Sequence, residues 1–297
     1  MKSFSNLSLL GSVAAVVAFA AGCSGSTVDV GGYSADAGGA APTTDGGGTT
    51  ITGAKVEIHV RASTAAVPHN DGLSGQTPSD QQIGIRSLRL LKDAADKSPL
   101  LVFDHGGDAV LAGLNDKDDT VVATVAAKSL AAGRYTVARV GIGYVKYRVN
   151  ATMHAMSQTV AGTFDNVQVL SNGTVVDEKT FDKGHYSFTF SVGGSPLATQ
   201  PGEGGPVPQI PAGGGISLDV SGDESAYVFP VDVPVDPNVA NDVKMIFELN
   251  THENFRWEDQ KIAGYAAGVF DVTPTTYEPV MRFGANSFRL VADLSSL

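Results

Sequence analysis

The densest run of side chains able to do chemistry is Asn250-Thr251-His252-Glu253-Asn254, followed by Arg256, Trp257, Glu258 and Asp259. An imidazole beside a carboxylate offers nitrogen and oxygen donors to a metal, so His252 and Glu253 are candidate ligands. Adjacent residues on a strand point to opposite faces, so a shared ion requires a loop at this point. The pattern is not that of a helical HExxH zinc protease, because position 256 is arginine. A second group, Asn115-Asp116-Lys117-Asp118-Asp119, gathers oxygen donors of the kind calcium takes, with Asp116, Asp118 and Asp119 as candidate ligands. It lacks the glycine and distal glutamate of an EF-hand, Lys117 opposes a cation, and a solvated turn accounts for the same residues. Asp232, Asp236 and Asn238 form a similar group interrupted by proline.

The rings of Phe255, Trp257 and Tyr265 are candidates for a ligand-binding surface, since amphipathic aromatics stack on sugars and peptides alike. A strand-to-loop corner with a partly buried Trp257 is the competing reading. His59, His69, His105, His154 and His185 are dispersed, show no paired spacing and read as solvated residues. Gly72-Leu73-Ser74-Gly75 has the wrong spacing for a nucleophile elbow, and Gly204-Gly205 and Gly213-Gly214-Gly215 lack the Lys-Ser/Thr of a phosphate loop. No catalytic residue is assigned, and the chain reads more readily as a non-enzyme than as an enzyme.

The elements that must position these groups are strands. Val56, Ile58 and Val60 alternate with Lys55, Glu57 and His59, which marks a strand with one wet face. Similar runs cover 85–91, 100–103, 121–126, 135–149, 167–170, 175–181, 186–192, 216–220, 243–249 and 288–292. Gly141 and Gly143 interrupt the longest, which predicts a bulge or a bend between sheets. Asn172-Gly173 and Lys183-Gly184 carry hairpin chemistry. No long helical period follows residue 53. Residues 54–297 therefore read as all-β, an antiparallel β-sandwich of the immunoglobulin or prealbumin-like kind, with an inserted hairpin region at 150–215. The Gly/Pro-rich stretch 193–215 reads as a long surface loop.

The N-terminus has a polar start with Lys2, an apolar stretch from Leu9 to Ala21 and small residues at Ala20, Ala21 and Gly22, the order of a secretory signal. The apolar stretch is shorter than the roughly 20 residues a membrane span needs. Cys23 directly after Ala21 and Gly22 resembles the lipobox of bacterial lipoproteins. That resemblance implies cleavage after residue 22 and lipid, palmitate included, on Cys23. Ser24, where an aspartate would favour the inner membrane, implies outer-membrane sorting. Residues 23–53 are Gly, Ala, Ser, Thr and Asp with little apolar spacing, too few apolar groups to offset ordering entropy, and read as a flexible disordered tether with a reach of roughly 30 Å. Cys23 is the only cysteine, so no internal disulfide is available. A net charge of −11 argues against nucleic acid and against electrostatic adhesion to anionic lipid. Membrane association would come from the lipid alone.

Ile85-Arg86-Ser87-Leu88-Arg89-Leu90-Leu91, Leu101-Val102-Phe103-Asp104, Leu130-Ala131-Ala132-Gly133-Arg134-Tyr135-Thr136 and Tyr277-Glu278-Pro279-Val280-Met281-Arg282-Phe283 resemble strands of a family of exported bacterial β-sandwich proteins. Many of its members are lipoproteins with a prealbumin-like fold and no established activity. The resemblance implies one domain over 54–297 and transfers no site residues. The resulting expectation is a lipid-anchored protein of the bacterial cell envelope, at the outer membrane. Its role would be non-enzymatic binding or structure, toward an unidentified envelope or extracellular ligand, with no cofactor unless calcium occupies the acidic loop. The alternative is a metal-supported carbohydrate-binding protein or polysaccharide hydrolase, using the acidic loop or the region of His252 and Trp257.

Overall fold

A computed structural model describes residues 51–205 and 215–293; Cys23, the expected signal and nearly all of the expected tether lie outside the described residues. In chain order the strands are β1 (Lys55–Ser63), β2 (Ser74–Gln76), β3 (Ser79–Leu91), β4 (Leu100–Asp104), β5 (Val110–Gly113), β6 (Asp119–Ala126) and β7 (Gly133–Ala155). Next come β8 (Gln158–Val169), β9 (Thr174–Val176), β10 (Lys179–Phe181), β11 (Tyr186–Val192), β12 (Ser195–Gly202) and β13 (Ser217–Asp219). The last are β14 (Ser225–Val235), β15 (Val243–Asn250), β16 (Phe255–Trp257), β17 (Asp271–Val272), β18 (Val280–Arg282) and β19 (Ser287–Asp293). Among the described residues no helix is long and apolar enough to cross a membrane.

The fold is all-β, as the period-two patterning requires. One sheet has the order β19-β15-β1-β6, with β1 and β15 parallel and the other pairs antiparallel. A ten-stranded sheet is organised on β7, which pairs with β3 on one edge and with β14 and then β8 on the other. The two sheets pack as a β-sandwich. Ile58, Val60, Phe247 and Leu249 of the first meet Ile83, Ile85, Leu88 and Val140 of the second around only about 10 Å³ of free space. The Phe229 ring crosses the interface to meet Phe247 edge-on at 5.9 Å, and Tyr227 meets Phe288 at 4.7 Å. The described residues belong to one compact unit.

The bulge expected near Gly141 and Gly143 is present, and the register locates it. Ile83 pairs with Val145 but Ile85 with Ile142, so three steps of β7 oppose two of β3. The extra residue inverts the strand's facing. Ala138, Val140 and Ile142 enter the main core before it, and Val145, Tyr147 and Val149 after it, while Tyr144 turns to a second cluster with Val169 and Val176. At the same point the outer partner changes, since β14 ends opposite Ile142 and β8 begins opposite Tyr144. The freed Gly143 carbonyl accepts the Leu170 N–H at 2.7 Å. Beside it, Gly141 leaves the space that Glu224 and Ser87 fill. Glu224 is in turn held by Arg89 at 3.0 Å and by Arg139.

Two local expectations are corrected, and one strand appears where none was expected. Asn172-Gly173 does not close a hairpin between the runs flanking it; β9 and β10 turn instead at Asp177 and Glu178, both at positive φ, and β8 pairs with β11. The stretch 193–215 contains the edge strand β12 rather than only a loop. Strand β14 was not anticipated, because Pro230 and Pro234 stand inside its alternating run Phe229, Val231, Val233, Val235. The chain tolerates them because β13 covers only Ala226–Val228, so the second edge of β14 needs no donors at the prolines.

Gly141→Ala drives a methyl group into the Glu224 carboxylate and the Ser87 hydroxyl. It is expected to lower stability by about 1–3 kcal/mol, read as a lower urea midpoint at unchanged slope.

Candidate functional site

The parallel pairing of β1 with β15 sets the geometry at His252. Ser63 lies opposite Asn250, so both chains leave the sheet at the same end and in the same direction. The pairing extends past the strands: Thr251 N–H donates to Ser63 O at 2.9 Å, and Asn250 Nδ2 to Ala65 O at 2.8 Å. Residues 64–73 therefore fold beside residues 251–254, which brings His69 to His252. Their rings stack at 5.9 Å, 10° from parallel, and His69 Nε2 lies 3.1 Å from the His252 carbonyl oxygen.

Glu253 completes the group. It sits in a turn at φ +42°, so it and His252 escape the opposite-face geometry of a strand. One ligand atom from each of His69, His252 and Glu253 lies within 4.8 Å of the others, and among the described residues this is the sole such cluster of three. The turn is held by Glu253 N–H to Thr77 Oγ1 at 2.7 Å and by Asn286 Nδ2 to His252 O at 2.6 Å. Arg256 reaches Glu253 Oε2 at 3.2 Å and Asp71 at 2.5 Å, and is nearly buried. Sequence reading identified His252 and Glu253 but missed His69, because a contact 183 residues apart leaves no local spacing.

The acidic loop is spent on structure. Asp116 accepts the Thr64 N–H at 3.1 Å, and Asp118 turns back to the Asn115 N–H at 2.8 Å. Asp119 faces β1, where it binds His59 Nδ1 at 2.7 Å and Arg61 with both nitrogens of one fork edge, at 2.7 and 3.0 Å. These carboxylates do not converge on one point. His59 lies on the polar face of β1 but is buried between Asp119 and Glu57, which corrects the expectation of a solvated ring. His105 likewise bonds Val122 O at 2.8 Å, and His185 bonds Glu203 at 2.8 Å.

The aromatic candidates are also corrected. Phe255 and Trp257 are 0% and 1% exposed, so neither offers a face to a ligand. Phe255 packs edge-on to Phe270 at 4.9 Å, and Trp257 Nε1–H donates to Asp259 at 3.0 Å. Tyr265 stacks on His154 at 4.7 Å, and His154 is fixed by Asp271 at 2.6 Å. Burial, with Asp271 and Glu278 adding to it, raises the Tyr265 hydroxyl above its usual range. Buried Glu278 accepts N–H groups from Gln260 at 2.6 Å and Asp271 at 2.9 Å, and burial raises its carboxyl too. This apparatus braces the long connection between β16 and β18.

A cleft with two accessible rings, Phe188 and Tyr277, lies instead where that connection meets the β11–β12 hairpin. A cleft of about 170 Å³ is lined by Met153, Phe164, Phe188, Phe190 and Tyr277, with Thr199, Gln200 and Thr276 among its polar groups. Phe164 stacks on Phe188 at 5.1 Å, and Tyr277 closes on Phe188 edge-on at 6.1 Å. Met153 faces the cleft while His154, next along β7, engages Asp271. The lining includes no carboxylate, imidazole, ammonium or guanidinium. No family model matches this chain, and no curated protein or solved structure matches it.

Asp119 supplies a pH test. Burial acts to raise its carboxyl, but hydrogen bonds from His59 and Arg61 and their charges outweigh this and hold it below the usual value. A depressed carboxylate stabilises the fold above the unfolded value near 3.9 and loses that contribution as pH falls through the folded one. Asp119→Asn is expected to cost about 1 kcal/mol at pH 7, with the difference from wild type closing below about pH 3.9 in paired thermal melts.

Proposed function

We propose that this chain is a lipid-anchored protein of the bacterial cell envelope whose β-sandwich binds a ligand non-enzymatically, in the cleft between the β11–β12 hairpin and the turn at 273–277. The cleft carries this reading. Phe164 and Phe190 are buried at its base, and it presents the half-buried Phe188 and the exposed Tyr277 ring together with hydroxyl and amide groups, which suits stacking and orientation of a ring. Its volume of about 170 Å³ is small beside pockets for drug-sized molecules, so it suits one ring of a larger envelope or extracellular molecule, such as a glycan. The lining holds no carboxylate, imidazole or amine, and burial raises its one titratable group, the Tyr277 hydroxyl, above the usual range, away from the near-neutral value that suits a general acid or base. The anchor rests on the resemblance of Ala20-Ala21-Gly22-Cys23 to a lipobox, and outer-membrane placement on Ser24. An acyl chain contributes about 0.8 kcal/mol per buried methylene, so several chains on Cys23 hold an acidic protein at a surface its charge would avoid.

Two measurements bear on this reading. In saturation-transfer NMR against panels of glycan fragments and aromatic peptides, a binder is expected whose affinity falls about tenfold or more in Tyr277→Ala, with a smaller loss in Gln200→Ala. If both variants bind that ligand as wild type does, the cleft is not its site. Separately, Cys23→Ala is expected to abolish labelling by radioactive palmitate and move the protein out of the membrane fraction; a variant that pellets like wild type removes the anchor.

A further inference from the structure

The geometry points to a site for a zinc-type divalent cation formed by His69, His252 and Glu253, independent of the aromatic cleft. Two imidazoles and one carboxylate are the donor set that zinc takes in open, three-ligand sites, and the borderline-soft nitrogen pair selects it over calcium or magnesium. The three ligand atoms lie within 4.8 Å of one another, a separation that modest side-chain rotation closes to the spacing set by bonds of about 2.0–2.2 Å. His252 follows a backbone pair, Thr251 N–H to Ser63 O, and the loop carrying His69 is held on either side by the Asn250 amide at Ala65 O and the Arg256 guanidinium at Leu73 O, which limits the chain ordering left for the donors to meet.

The surroundings are those that orient metal ligands. A ligating histidine usually gives its second N–H to a carbonyl or carboxylate, which fixes the tautomer. His69 does so: Nε2 lies 3.1 Å from the His252 carbonyl, an acceptor only, which leaves the Nδ1 lone pair for a cation. The carbonyl is itself fixed by Asn286 Nδ2 at 2.6 Å. Arg256 holds one oxygen of Glu253 at 3.2 Å and leaves the other. The charge of Arg256 is met by Asp71 at 2.5 Å, so Arg256 steers the carboxylate without carrying an unbalanced charge into the site. His252 makes only a long contact, Nδ1 to the Val67 N–H at 3.4 Å, and this is the bond a cation displaces. Beside them, Asn286 Oδ1 is buried with no hydrogen-bond partner, an oxygen lone pair left over at the edge of the cluster.

The test uses the full chain in detergent, stripped with chelator and titrated with zinc ion alone, with calcium as the control. One equivalent of zinc and no calcium is expected to bind by competition with a chromogenic chelator. His69→Ala and His252→Ala are each expected to weaken zinc binding by about 10- to 100-fold or more. Glu253→Gln, which retains a side-chain oxygen for Arg256, is expected to weaken it as well. Because a variant can misfold, nitrogen-15 spectra of the wild-type histidine rings are recorded during the titration; two of the six imidazoles, assigned to His69 and His252, are expected to shift together and saturate at one equivalent. Absence of stoichiometric zinc, saturating shifts confined to other histidines, or wild-type affinity in the double variant His69→Ala/His252→Ala overturns the site. An unaffected Glu253→Gln overturns the three-ligand assignment.

Discussion

Everything in this fold hangs on β7, a strand of 23 residues that has to satisfy partners on both edges over a length of roughly 75 Å. A strand this long cannot keep one face toward one core without accommodating the twist of its sheet. The bulge between Ile142 and Val145 resolves the conflict by inserting one residue and inverting the facing. The first half of β7 then packs against the four-stranded sheet, while the second half carries Tyr147 into the aromatic column of Phe255 and Phe283. Both outer partners converge on this point, and Gly143 keeps its carbonyl free to bind the chain returning at Leu170. The cleft is a downstream result, because β8, β11 and β12 are stacked outward from the half of β7 beyond the bulge.

Two charge groups brace this arrangement, a half-buried one at Glu224 and a buried one at Arg256. Glu224 accepts from Arg89, Arg139 and Ser87 and so ties β3, β7 and the start of β14 together where β14 gives way to β8. Arg256 ties the loop at Asp71 and Leu73 to β16. Replacing such pairs by apolar residues is often neutral or stabilising, whereas removing one partner strands the other charge. Their value here is in register: each fixes a chain crossing that apolar packing alone would let slide.

Much of the fold was legible. Val56, Ile58 and Val60 announced β1, and the change of parity from Ala138, Val140 and Ile142 to Val145, Tyr147 and Val149 is a bulge written in the sequence. Strand β14 was hidden because its prolines are permitted only by the shortness of β13, a fact of pairing rather than composition. Strand β12 was hidden because an edge strand with seven exposed residues needs no apolar face. Trp257 misled for the opposite reason: a ring flanked by Arg256 and Glu258 looks like a surface, but Arg256 is itself buried against Asp71. The cleft left no trace, since Phe188 and Gln200 are partners within the β11–β12 hairpin but Tyr277 reaches them only through the packing of a distant turn.

The corner at His252 follows from a single topological choice. An antiparallel β1–β15 pair would have sent the loops after Ser63 and Asn250 to opposite ends of the sheet, and His69 would have had no neighbour there. The parallel pair sends both to one end, where their polar groups must satisfy one another. Glu253 occupies the left-handed region, a conformation costing an ordinary residue about 1–2 kcal/mol. The turn is held there by Glu253 N–H to Thr77, His252 N–H to Asn250, and donations from Asn286 and Arg256. A turn joining β15 to β16 could use glycine at this position and avoid the strain altogether. The chain instead keeps a side chain there, aimed beside two imidazoles and steered by a buried arginine, so the strain is spent on where the Glu253 carboxylate points.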